Sequence, residues 1–166
     1  YNLIFSQGIE EYVARSREAG VDGLLTLDLP PEEASELVAS CRQNGLKNIF
    51  IIAPTTPENR IPTIVESSSG FIYYVSRAGV TGERKDLADD LDIRVTTIKK
   101  YTDLPVVVGF GISTPEQVSK VSAVADGVVI GSTLVKCISE NLGNPDLIVE
   151  KISARTETLS TGLSKM

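Results

Sequence analysis

With 166 residues the chain can bury one sizeable core, and residues 1–166 read as a single domain. Its formal net charge of −6 and pI near 4.7, with no cluster of lysine or arginine, exclude nucleic-acid backbones and anionic membranes as natural partners. Histidine is absent, which excludes Ser-His and Cys-His nucleophile pairs and histidine metal sites and leaves acid-base chemistry to carboxylates or tyrosine.

The start, Tyr1-Asn2-Leu3-Ile4-Phe5, has no basic signal-like region, and no apolar run approaches the roughly 20 residues that span a bilayer. A cytoplasmic protein is expected, or one of the plastid stroma if the source is a plant or alga. The chain opens on tyrosine rather than methionine, and its first residues read as the end of an element, so an incomplete chain is expected. Ile9, Tyr12, Val13 and Ala19 then predict a helix stopped by Gly20. Gly23 to Leu27 reads as a buried strand, followed by Asp28-Leu29-Pro30-Pro31, where Pro31 suits the first turn of a helix carrying Ala34, Leu37, Val38 and Cys41. Gly45 closes it.

Asn48 to Ala53 is the next buried strand, with Pro54-Thr55-Thr56-Pro57 as its exit, and Pro62 falls in the first turn of the helix beyond. Phe71 to Val75 makes a third strand, and Leu87, Leu91, Val95 and Ile98 mark a helix. Cys41 and Cys137 belong to no CxxC pattern and read as buried small hydrophobes.

From Pro105 to Lys136 two apolar runs, Val106-Val107-Val108 and Val128-Val129-Ile130, each end in a glycine turn that leads into a helix. In a parallel sheet Gly109-Phe110-Gly111 and Gly131-Ser132 would lie side by side at the carboxyl ends of neighbouring strands. The second turn opens into Ser132-Thr133-Leu134-Val135, whose first amides and positive helix end suit an anion, with phosphate the obvious candidate. Each feature also has an ordinary structural explanation: glycine for a tight turn, Ser132 as a cap, Phe110 and Tyr73 as core, and Thr81 as turn chemistry. Thr114 to Gln117 is a capping-box pattern. Pro145 to about Leu159 reads as a last helix, and Ser160 to Met166 as a frayed polar tail.

Strands and helices thus alternate five times, with nearly continuous apolar strands, which makes the fold class α/β with a parallel sheet covered by helices. Phosphate sites in (β/α)8 barrels are often built from the loops after the last two strands, as here, although such barrels take about 250 residues.

The loop Ser76-Arg77-Ala78-Gly79-Val80-Thr81-Gly82, with Gly109-Phe110-Gly111-Ile112-Ser113 and Gly131-Ser132, resembles the tryptophan synthase alpha chain family. Asn2-Leu3-Ile4-Phe5 with Gly8, Gly20-Val21-Asp22-Gly23 and Asp28-Leu29-Pro30-Pro31-Glu32-Glu33 support the resemblance, which covers essentially the whole chain. It implies a TIM (β/α)8 barrel of which this chain is a part, about the last five βα units. It also implies a lyase of tryptophan biosynthesis that cleaves indole-3-glycerol phosphate to indole and glyceraldehyde 3-phosphate.

By the same resemblance Gly82, Phe110, Gly111, Gly131 and Ser132 would hold the substrate phosphate. Tyr73 would line the indole pocket, and Thr81 would sit on a loop that closes over the substrate. The family's catalytic glutamate and aspartate would precede Tyr1, so no catalytic residue is assigned in this chain and the segment alone is expected to be inactive. Asn2, Asp28, Pro30, Pro31, Pro54 and Asn59 would lie near a beta chain partner, which would carry the pyridoxal phosphate; no cofactor and no metal are expected in this chain. Two alternatives stay open. One is a non-catalytic truncated barrel that binds a phosphate ligand or a partner chain. The other is a different phosphate-binding barrel, an isomerase or epimerase, which would not explain the loop from Ser76 to Gly82.

Overall fold

In the computed structural model of the protein, the β-branched and aromatic runs Ile72–Val75 and Val106–Gly109 form its two longest strands among the described residues. The structure describes residues 1–76, 87–109 and 111–163, and of residues 87–90 the backbone only. The elements are α1 (Asn2–Phe5), α2 (Ile9–Glu18), β1 (Gly23–Leu25), α3 (Ser35–Gln43), β2 (Lys47–Ile49), β3 (Ile51–Ile52), α4 (Ile61–Ser67) and β4 (Ile72–Val75). They continue with α5 (Leu87–Lys99), β5 (Val106–Gly109), α6 (Pro115–Ser122), β6 (Gly127–Val129), α7 (Ser132–Ser139) and α8 (Pro145–Ser160). The opening residues therefore form a helical turn of their own.

Among the described residues every strand pair is parallel: β1 lies against β2, and β3, β4, β5 and β6 follow in that order. Only Phe50 separates β2 from β3, and its carbonyl still accepts the Tyr73 amide at 3.1 Å. The arrangement is a single arc in which each strand neighbours the next in sequence, as helical crossovers of one hand produce.

Alternation along the strands sorts the side chains. Ile72, Tyr74, Val106 and Val108 are buried beneath Ile61 and Ile64 of α4, Val95 and Ile98 of α5, and Val118 and Val121 of α6. Fully burying such a side chain stabilises by about 1.5–3 kcal/mol. The opposite face, with Ile51, Tyr73, Val75, Val107 and Val129, is only half-buried.

This corrects the expectation of buried strands. Leu25 is 39% exposed, because helices cover one face of the arc and among the described residues nothing covers the other; Leu27, 75% exposed, lies in a turn, since the strand expected over Gly23–Leu27 ends at Leu25. Three further corrections have local causes. Pro31–Glu33 form a 3-10 turn that ends at Ala34, so α3 begins only at Ser35. Cys41 is buried, but Cys137 is only half-buried, at a cleft between α7 and α8. The tail is docked at its start: Gly162 is buried, and a Cβ there would overlap the Pro115 carbonyl.

The helix signals hold. Pro62 lies in the first turn of α4. The Thr114 hydroxyl accepts the Gln117 amide at 3.3 Å, while Gln117 Oε1 accepts the Thr114 amide at 3.1 Å, completing the capping box of α6.

Candidate functional site

The register of β5 on β6 pairs Gly109 with Val129, so the turn after each strand emerges on the same rim of the sheet. A direct bond joins the two turns: the Thr133 hydroxyl, one residue into α7, donates to the Ile112 carbonyl at 3.2 Å. Gly111 has φ 72, the left-handed region that glycine adopts without strain. The turn is held from outside as well. The Ser76 amide donates to the Gly109 carbonyl at 3.0 Å, and Arg155 Nη2, from α8, donates to the Ser113 carbonyl at 2.7 Å. Gln117 Oε1 accepts the Ser113 amide at 2.8 Å.

Gly131 is the cap residue of α7, with no side-chain cap and no acidic residue in the first turn. Its carbonyl accepts the amides of Leu134 and Val135 at 2.9 and 3.1 Å. The amides of Ser132 and Thr133 have no acceptor within the helix, and Gly131 and Ser132 are exposed. Such an end suits a negatively charged group.

Tyr73 stands on the open face of the arc, across from Val107, with its ring over Gly109. The structure thus brings Gly111, Gly131 and Ser132 to one rim, with Tyr73 on the face below it. Gly82, Thr81 and Phe110 lie outside the described residues. Sequence reading missed Ser76, Thr133 and Arg155 as the groups that hold the turn. No local pattern marks Arg155, which reaches the turn from a helix far along the chain. Lys136 is an exposed charge, 3.7 Å from Glu140.

At the same end of the arc, beyond β1 and β3, a cleft of about 430 Å³ is lined by Asp28, Pro30, Pro31, Pro57 and Arg60 among others. Asn2, Asp28, Pro30 and Asn59 are exposed, while Pro54 is half-buried and its carbonyl accepts Arg94 Nη2 at 3.1 Å. The Glu32 carboxyl is held below its usual range, first by its own backbone amide and then by Arg60, 2.6 Å away. Cys41 is pushed the other way, its thiol raised by burial.

The model of the family described as tryptophan synthase alpha chain matches residues 1–164. The chain belongs to the tryptophan synthase alpha chain family. It is 54% identical over 165 residues to a tryptophan synthase alpha chain of Opitutus terrae, covering 99% of this chain and 62% of that protein. To the tryptophan synthase alpha chain of Citrifermentans bemidjiense it is 47% identical, covering 99% and 61%. The chain therefore spans about six tenths of the length of the curated relatives it matches.

Among solved structures, a protein of Aquifex aeolicus superposes with a TM-score of 0.85 at 36% identity, over 99% of this chain and 60% of that one. A chain of the tryptophan synthase α2β2 complex of Pyrococcus furiosus gives 0.84 at 36% identity, over 96% and 64%. The fold is that of the TIM barrel family, and the parallel arc of this tryptophan synthase alpha chain relative is part of such a barrel. The family match replaces the isomerase or epimerase alternative. No helix among the described residues is long and apolar enough to cross a membrane.

Proposed function

We propose that this chain supplies the phosphate-holding arc of an enzyme that cleaves indole-3-glycerol phosphate to indole and glyceraldehyde 3-phosphate, a carbon-carbon lyase of tryptophan biosynthesis. The observation that carries the reading is the bond from Thr133 to Ile112, which holds the glycine turn after β5 against the uncapped start of α7. Gly111, Gly131 and Ser132 offer backbone amides and a hydroxyl to the phosphate there, with Gly82 and Phe110 completing the cradle. Tyr73 lines the indole pocket, and Thr81 belongs to the loop over the substrate.

The reaction moves two protons: one reaches the indole ring carbon as the carbon-carbon bond breaks, and one leaves the glycerol hydroxyl as the aldehyde forms. The ring nitrogen gathers positive charge meanwhile, and an anion beside it stabilises the transition state. In this reading the two carboxylates that do this work belong to the part of the relatives that the present chain does not span. The arc positions the phosphate end, so the substrate arrives with its bond aligned. By itself it binds and does not turn over.

The exposed positions Asn2, Asp28, Pro30 and Asn59, with Pro31 and Pro54 beside them, form the surface toward a beta chain. Pyridoxal phosphate belongs to that partner. The name of the Pyrococcus complex supports such a pairing for the family.

The test is the intact protein mixed with its beta chain. Indole release from indole-3-glycerol phosphate, and binding of glycerol 3-phosphate, are expected. If neither occurs, the reading fails. If only binding occurs, the protein is a binding module rather than a lyase.

A further inference from the structure

The phosphate reading leaves open what holds the glycine turn in its binding geometry. A turn that offers amides to an anion can be fixed through its carbonyls without using those amides, and here the Ser113 amide is already taken by Gln117 Oε1. Besides the Ser76 amide on Gly109, two carbonyls of this turn are engaged by side-chain donors from helices beyond it. Thr133 of α7 takes Ile112 at 3.2 Å, and the guanidinium of Arg155, half-buried on α8, takes Ser113 at 2.7 Å. The second bond has a charged donor and spans 42 positions of sequence, so it ties the last helix of the chain to the site. Arg155 also lines the cleft of about 480 Å³ between α7 and α8, together with Lys151, Glu140 and Cys137. Its guanidinium meets the turn on a carbonyl and takes none of the turn's amides.

We infer that Arg155 is a positioning residue of the phosphate cradle. It acts on the ligand through the Ser113 carbonyl, and α8 is thereby part of the site's support rather than an outer covering helix. The inference rests on the phosphate reading above and extends it to a residue that no glycine motif marks.

The test is calorimetric titration of the intact protein with glycerol 3-phosphate and, separately, with indole. In Arg155→Met the affinity for glycerol 3-phosphate should fall about tenfold, the worth of one charge-assisted hydrogen bond, while that for indole stays within about twofold. Arg155→Lys, which keeps a donor and a cation, should return to within about threefold of the parent. The loss should persist at about 0.5 M salt, where a long-range attraction between Arg155 and the phosphate would be screened. Should the methionine variant not fold, Arg155→Gln, which is too short to reach Ser113, is read in the same way.

A parent protein that binds no glycerol 3-phosphate overturns the phosphate reading itself. A parent that binds, with a methionine variant that binds as tightly, overturns only the role of Arg155. Equal weakening for indole, or a loss that disappears at high salt, also overturns it, the first as general destabilisation and the second as a field effect.

Discussion

A Cβ built on Gly109 would lie 2.6 Å from Tyr73 Oη and 2.8 Å from Val129 Cβ, so glycine is required there by its neighbours rather than by its own backbone. Gly109→Ala should therefore destabilise by about 1–3 kcal/mol, the usual effect of overfilling a packed site. Shortening the neighbour should relieve it: Gly109→Ala with Tyr73→Leu is expected to be more stable than the sum of the two changes by about 1 kcal/mol. Urea unfolding midpoints of the four members of that cycle are the measurement, and strict additivity would show that the two side chains do not share the space. The glycines at 109 and 111 were legible in the sequence as a turn. Their different reasons were not, because Tyr73 stands on another strand, whereas the φ of 72 at Gly111 is a local property.

At the scale of elements, the amino ends of β5 and β6 are joined by one carboxylate. Asp126 Oδ2 accepts the Val106 amide at 2.8 Å, and Asp126 Oδ1 accepts Lys99 Nζ, from the end of α5, also at 2.8 Å. Burial raises the affinity of this carboxyl for protons, but the bonds from Lys99 and Val106 and the charge of Lys99 outweigh it, leaving its pKa below the ordinary value. A folded-state pKa lower than the unfolded one contributes stability that is present above the unfolded value and lost as pH falls through the folded one. The contribution should thus be whole above about pH 5, shrink as pH falls below about 4, and be lost only below the lowered folded-state value. Both side chains are more than a third exposed, so solvent screens it to less than about 1 kcal/mol.

The test compares urea midpoints of the parent and Asp126→Asn at about pH 6 and pH 3. A clear gap is expected at the first pH and a much smaller one at the second; a gap of constant size would mean that the carboxylate's charge is irrelevant. Helix signals at this scale were local and therefore legible: Thr114 with Gln117 starts α6, and Gly20 stops α2. The link from Lys99 to Asp126 could not be read, since the spacing of two exposed charges carries no information about which strand ends meet.

For the molecule as a whole, the decisive feature is the open face of the arc. Ile51, Tyr73, Val75, Val107 and Val129 are half-buried there, while the helix-covered face is closed. Apolar surface left in water on this scale seeks a partner. The isolated 166-residue chain is expected to bind a hydrophobic dye and to show a weight-average mass that rises with concentration in sedimentation equilibrium. Supplying the remaining strands of the barrel should suppress both. A monomer at every concentration with no dye binding would mean that the open face is covered in a way the described residues do not explain.

Taken by itself, the order of residues determined the alternation of helices and strands, because apolar periodicity, proline, glycine and capping side chains act within a few positions of one another. It also marked the two glycine turns and, through the loop from Ser76 to Gly82, the family. Tertiary structure alone decided which face of each strand was covered, since the same valine run suits a strand buried on one side or on both. It decided equally which distant groups, Ser76, Thr133 and Arg155, hold the turn that carries the site, because their bonds end on backbone carbonyls, and a carbonyl has no residue identity for a sequence to reveal.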